Sequence, residues 1–270
     1  MDRSLHLPSV GDQLRQWRQR RRLSQLELAG EAGLSTRHLS FLETGRSMPS
    51  REMLLRLAER LAVPLRERNA LMLAAGFAPM YRQRPLDDAA MRAARTAVDA
   101  LLAGHEPYPA LAVDRHWNLV ATNAATRRLL VQVDPALLAP PVNVMRVALH
   151  PRGLAPQIVN LAQWRAHLLE RVGAQFAATA DPVLAALFEE MRGYTAGRDD
   201  GPGHEDAEGV GASAVAVPLR LRTPAGTLSL IGTITVFGTP TDVTLSEIAL
   251  ESFFPADTGT AERLRALAVG

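Results

Sequence analysis

Residues 24–50 read SQLELAGEAGLSTRHLSFLETGRSMPS. Ser24 followed by Glu27 has the spacing of a capping box, so a helix is expected over Gln25–Ala32. Gly33 breaks it and supplies the backbone freedom of a tight turn. Ser35 is a second N-cap, opening a helix over Thr36–Glu43 that Gly45 ends. Leu28, Ala29, Leu34, Leu39 and Leu42 are the small or apolar residues that packing these two short helices together requires.

Two helices joined in this way make a helix-turn-helix, whose second helix lies in the DNA major groove. On that second helix Thr36, Arg37, His38 and Ser40 are polar and point outward. Arg and Ser/Thr side chains reach base edges or phosphates readily, while His38 could equally be solvated. Gln25 stands at the start of the first helix, where its amide and the helix-end N–H groups can grip a phosphate. Arg46 and Arg51 are further phosphate candidates. Arg20, Arg21 and Arg22 form a charge run read as a solvated face with weak steering.

Outward from this motif the same punctuation continues. A helix from Val10 to about Arg21 precedes it, Ser50 caps one over Arg51–Leu61, and Pro64 opens one over about Leu65–Ala75 that Gly76 closes. Residues 77–90 hold two prolines and mixed charge and read as a linker. A helix over about 88–103 follows, with Met91, Ala94, Val98, Leu101 and Leu102 on one side. It is expected to be a spacer or a dimer contact, and a route of coupling.

From Tyr108 the periodicity changes. ALAVDRHWNLVATN alternates like a hairpin of two short strands. Helices are expected over Ala124–Val131, Leu161–Ala178 and about Pro182–Gly193, the last capped by Asp181. Pro135 to Pro141 reads as a loop, and so does the Gly- and acid-rich stretch 195–213. Strands are expected over Ala214–Arg222, Thr227–Phe237 and about Ile248–Phe253, and a closing helix over Thr258–Ala268. The pattern argues for an all-α five-helix DNA-binding head over 1–76, a connecting segment over 77–104, and an α+β body with an antiparallel sheet over 105–270.

Composition agrees with that division. The 270 residues carry a net charge of +2, with 47% hydrophobic residues, enough to build a core. Residues 1–84 hold fifteen Arg against eight acids, a net of +7, and the remainder holds fifteen Arg against twenty acids, a net of −5. A basic head on an acidic body suggests that one end meets a polyanion. The chain has no cysteine, which excludes disulfides and Cys-ligated zinc. No apolar run approaches the ~18 residues of a membrane span, and MDRSLHLPSVGD lacks the order of a signal peptide, so a soluble cytoplasmic protein without membrane contact is expected.

The head resembles the lambda-repressor-like, XRE-type helix-turn-helix family over about residues 10–76, on SQ-x-x-LA, S-x-x-x-L-S-x-L-E-x-G and the Pro-Ser before the next helix. The resemblance implies that Glu43 is a buried structural acid paired with Arg18. A second resemblance covers residues ~105–268. The phrases ALAVDRHWNLVATNAA, VMRVALHP-x-GLAP, NLAQWRAHLLERV and VFGTPTDVTLSEIALESFFPAD are similar to those of the MmyB-like transcription regulators, in the same order. That resemblance implies a PAS-like fold enclosing an apolar cavity, a small and partly apolar ligand with a fatty acid as its expected type, and a homodimer on an operator. Two recognition helices would then stand ~34 Å apart.

The body's polar residues suggest where such a ligand would sit. Asn160, Trp164, His167 and Arg171 are spaced four, three and four apart and lie on one helical stripe. They could orient a head group, Arg171 suiting a carboxylate. The other reading packs this stripe against protein, with Arg171 meeting an acid such as Glu251. Trp117, Asn123, Arg146, His150 and Phe237 are further candidates, each with a reading as core, turn or polar network. The alternative for the whole body is a protein-docking module with no small ligand. Enzyme signatures are absent: there is no G-x-S-x-G, H-E-x-x-H or Walker sequence, no two of the seven His share i, i+4 spacing, and His204-Glu205-Asp206 reads as a solvated loop. No cofactor or metal is expected.

Overall fold

The computed structural model describes residues 8–194 and 216–269. Contacts divide the chain into two units, one running to Pro85 and including Thr239–Ser246, the other formed by Leu86–Gly238 and Glu247 onward. The stretch 195–213, His204-Glu205-Asp206 within it, and the start of the strand expected from Ala214 lie outside the described residues.

The head is five helices: α1 Val10–Arg20, α2 Gln25–Ala32, α3 Thr36–Glu43, α4 Arg51–Arg60 and α5 Leu65–Ala74. Four start on serine. Ser9 and Ser24 make full capping boxes with Asp12 and Glu27, and Ser35 and Ser50 accept from the third backbone N–H of their helices. Gly33 ends α2 at φ 66°, the left-handed region where a side chain is strained. Leu14, Leu28, Leu39, Leu42, Leu54, Leu57 and Leu61 are fully buried and join the helices into one core.

Gly11 sets how closely α1 approaches α3. A Cβ built there would stand 2.4 Å from the Leu42 carbonyl oxygen, with the Glu43 carbonyl next to it. Both are backbone and cannot turn aside. Gly11→Ala is therefore expected to destabilise the head by about 1–3 kcal/mol despite its better helix propensity, as an overpacked core does. A urea midpoint unchanged or raised would refute this.

Residues past α5 stay with the head. Asn69 accepts from the Met80 and Tyr81 N–H groups and donates to the Tyr81 carbonyl. A short helix, α11 Val243–Ser246, joins there through the Val243 N–H to the Arg82 carbonyl.

The body is a five-stranded antiparallel sheet with helices on both faces. In chain order its elements are α6 Arg92–Gly104, β1 Ala110–Val113, β2 Leu119–Thr122, α7 Ala124–Leu129, α8 Val144–Leu149, α9 Leu161–Thr179, α10 Pro182–Gly193, β3 Leu219–Thr223, β4 Gly226–Val236, β5 Ala249–Pro255 and α12 Thr258–Val269. The strand order is β2-β1-β5-β4-β3. All four residues of β1 are buried because successive side chains enter different cores. Ala110 and Ala112 meet Val98 and Leu102 of α6, with Ile248 and Leu250. Leu111 and Val113 meet the larger core of α8, α9, α10 and α12. The helix expected at 88–103 thus packs within the body, its apolar face on the sheet, and Leu101 alone of its larger apolar residues stays well exposed. The helix α8 had no counterpart in the sequence reading: six residues between Asn143 and His150 are too few to display a period.

Candidate DNA-reading helix and candidate ligand cavity

In the head, α3 presents Arg37 exposed, with Thr36, His38 and Ser40 partly so. The Arg37 guanidinium lies 5.4 Å from the Phe41 ring centre and that of Arg46 5.8 Å from the same ring. Phe41 therefore holds two cations beside the outer side of α3, a role that its apolar character concealed. Arg51 is exposed at the start of α4. Of the Arg20–Arg22 run, Arg21 is not free: it donates to the Leu61 and Ala62 carbonyls.

Behind α3, Arg18 forms a two-pronged bond to Glu43 at 2.6 and 2.8 Å, as the family resemblance implied. Gln25 adds a third bond, its amide nitrogen 2.8 Å from the same carboxylate. Burial pushes the Glu43 carboxyl up, but the bonds from Arg18 and Gln25, with the charges of Arg18 and Arg15, hold it below the ordinary carboxylate range. The amide nitrogen of Gln25 is thus committed inside the head, which leaves its oxygen and the α2 N-terminus for the phosphate grip that sequence suggested.

In the body, a cavity of about 100 Å3 lies between the sheet and its helical cover. Leu111, Leu119, Leu219, Leu221, Leu230 and Phe253 form its floor, and α7, α8 and α9 its roof, with Leu129, Val144, Met145, Val147, Ala148, Trp164 and Leu168. Thr126 and Glu251 are the ionisable or hydroxyl-bearing residues on that wall.

Of the nine residues singled out in sequence, Trp164 lines this cavity. Its ring meets His167 at 5.3 Å between centres, and burial, then the Arg171 charge, lowers the His167 pKa and so disfavours the imidazolium. Arg171 donates to Glu251 at 2.5 Å and lies 4.6 Å from the Trp117 ring centre. It thus meets the protein acid, one of the two partners considered for it. Trp117 itself takes φ 67° in the β1–β2 turn, which Asp114 closes by accepting from the His116 and Asn118 N–H groups. That turn sends the indole into the core, where it donates to Gln175.

The other candidates are held elsewhere. Asn160 ties the start of α9 to β3, donating to the Pro218 carbonyl and accepting from the Arg220 N–H. Asn123 is the buried N-cap of α7, accepting from Ala110 and Thr126 and donating to Leu102 and Tyr108. Arg146 makes a two-pronged bond to Glu190, which also accepts from Tyr194; the Arg146 bond, chiefly, keeps the Glu190 pKa low. The His150 ring accepts from the Arg152 N–H and stands edge-on to Tyr194. Phe237 packs against the smaller core of Val98, Leu102, Ala110, Ala112, Ile248 and Leu250 and is not among the residues that line the cavity. Glu251 had a signal of its own in the sequence: it is a lone acid at a core-facing position of the apolar strand ALESFFP.

Among the described residues no group of His, Asp and Glu is arranged to hold a metal, and no helix is long and apolar enough to cross a membrane.

Comparison with known proteins gives two family matches. Residues 94–267 match the model for the MmyB-like transcription regulator ligand binding domain, and residues 14–68 match the helix-turn-helix model. No curated protein matches the chain. Among solved structures, the clp gene regulator ClgR from Corynebacterium glutamicum is 24% identical at TM-score 0.22, over 36% of this chain and 90% of its own. An RNA-binding light-oxygen-voltage receptor is 12% identical at TM-score 0.28, over 97% of this chain and 65% of its own.

Proposed function

We infer that this chain, which belongs to the MmyB-like transcription regulators and carries a helix-turn-helix head, is a DNA-binding regulator governed by a small apolar molecule held in its body. In this reading the head works as half of a homodimer, with α3 in the major groove and the cations around Phe41, with Arg51, on bases and phosphates. Occupancy of the body changes the spacing or orientation of the two heads, and so operator affinity. The observation that carries the sensing role is the cavity, an almost wholly apolar space under the sheet with few polar groups on its wall.

The volume of about 100 Å3 favours small occupants, since drug-sized ligands fill roughly 300 Å3 or more. A fatty acid is the occupant expected of the family, and a long one needs the cavity to widen. The same small volume favours a second reading, in which the body docks a protein partner and holds no ligand. Native mass spectrometry of the intact protein separates the two. We expect a stoichiometric small molecule on the full chain, and its loss in Ala148→Phe, which fills the cavity from α8, together with loss of the ligand's effect on operator binding. A chain that carries nothing and takes up nothing from a panel of small apolar compounds overturns the sensing role and leaves docking.

A further inference from the structure

One edge of the body's sheet is open. β3 pairs with β4 only as far as Leu219, opposite Leu230, and Val217 packs from there into the larger core. β4 runs on through 231–236, paired on one side with β5 and on the other with none of the described residues. All of 231–236 are exposed, on both faces of the sheet, Ile234 at 52% and Val236 at 61%. In an antiparallel ladder alternate residues turn their backbone groups to opposite sides. The Ser229 carbonyl accepts from Ala256 on the β5 side, which sets the phase. The odd-numbered residues of β4 face β5, and the N–H and C=O groups of Gly232, Ile234 and Val236 face the open edge. Soluble proteins guard such an edge with charge, proline or a bulge. Here no charged residue occurs between Arg222 and Asp242, and 231–236 hold no proline.

We propose that a second copy of this chain covers the edge, with the two β4 strands pairing antiparallel about a two-fold axis at Ile234. The inference rests on the homodimer of the function proposed above and assigns its interface. A two-fold axis perpendicular to the sheet keeps each face on its own side, so it passes through a residue and not between two. Centred on Ile234, the register sets Ile234 against its own copy and Gly232 against the partner's Val236. Every open N–H and C=O is then used, each facing pair exchanging both bonds. Centred on Thr233, it would leave Val236 facing Leu230, whose groups β3 already holds. The side chains suit the first register too. Val236 takes the space that Gly232 leaves empty, and Thr233 stands across from Thr235, a favourable cross-strand pair. Charge favours this occupant. Residues 85–270 carry a net of −5, so two bodies repel in general, and an uncharged strand lets them meet without opposing like charges.

The test is sedimentation equilibrium of the intact protein without DNA, joined to cysteine cross-linking. Wild type should dimerise. Ile234→Lys sets two like charges against each other on the axis and should raise the dimer dissociation constant at least about tenfold. The chain has no cysteine, so Ile234→Cys introduces a single thiol. Mild oxidation should join two copies through it, because residues facing in such a pair stand ~5.5 Å apart between Cα atoms, within disulfide reach. Ala225→Cys, exposed in the turn at the far end of β4, should not cross-link. A dimer equally tight in Ile234→Lys, or Ala225→Cys cross-linking as readily as Ile234→Cys, overturns the inference and leaves the homodimer standing on another face. Wild type monomeric in solution and bound singly to its operator overturns both. The cross-linking comparison decides alone if Ile234→Lys does not fold.

Discussion

Arg18→Ala is expected to cost the head about 3–5 kcal/mol, a large part of the 5–15 kcal/mol that holds a domain folded. Glu43 has a side-chain exposure of 1%, so it cannot turn to water when its partner leaves. It would keep one bond, from Gln25, against the burial of a full charge. The effect should appear in the head as hydrogen exchange of the α1–α5 amides faster by about two to three and a half orders of magnitude. The double change Arg18→Met with Glu43→Leu should recover most of the loss, because two apolar side chains of similar size leave nothing unpaired. A double variant as unstable as the single one would point to lost packing instead. Acid has a defined sign here. The folded Glu43 pKa lies below the ordinary value, so its contribution is complete above the usual carboxylate range and is lost as pH falls through the folded value. Wild type should therefore lose head stability on acidification more steeply than the Met/Leu double variant.

That ion pair also marks how far sequence could be read. The head was legible almost element by element, because its information is local. Serine caps, glycines at left-handed helix ends such as Gly33 and leucines on helical spacing each act over a few residues. The sheet of the body was legible as strands, since Ala110–Val113 and Gly226–Val236 are apolar or β-branched runs between turns. The cavity was not legible, because its wall is made mostly of leucines and valines from seven separate elements that look like any core residues. The polar residues that stand out in a sequence are those that a fold most needs to satisfy. Asn123, Asn160 and Arg146 drew attention for that reason, and the structure commits them to caps, strand ends and ion pairs. Arg171 shows the same limit in one residue. Its helical position was clear, but whether its partner is a ligand or Glu251 depends on which residue β5 brings opposite it.

Arg37→Ala with Ser40→Ala is expected to weaken binding to an operator selected from random duplexes by tenfold to roughly a thousandfold at fixed salt, each good base contact being worth ~1–3 kcal/mol. The geometry favours Arg37 as the leading contact. It is exposed on the outer side of α3, and the Phe41 ring beneath it limits the rotamers it must give up on binding. Arg51→Ala provides the contrast. A phosphate contact carries no sequence information, so its loss should weaken selected and unrelated duplexes alike and reduce the salt slope by about one. The double variant should instead lose the selected duplex and keep most of its weak affinity for others. Binding assays across 50–300 mM salt would separate the two patterns. A loss below tenfold for the double variant, with unrelated duplexes weakened equally, would mean that α3 is not the reading helix. The exposed arginines of the head would then act as an electrostatic face alone, and sequence selection would have to come from another element of the chain.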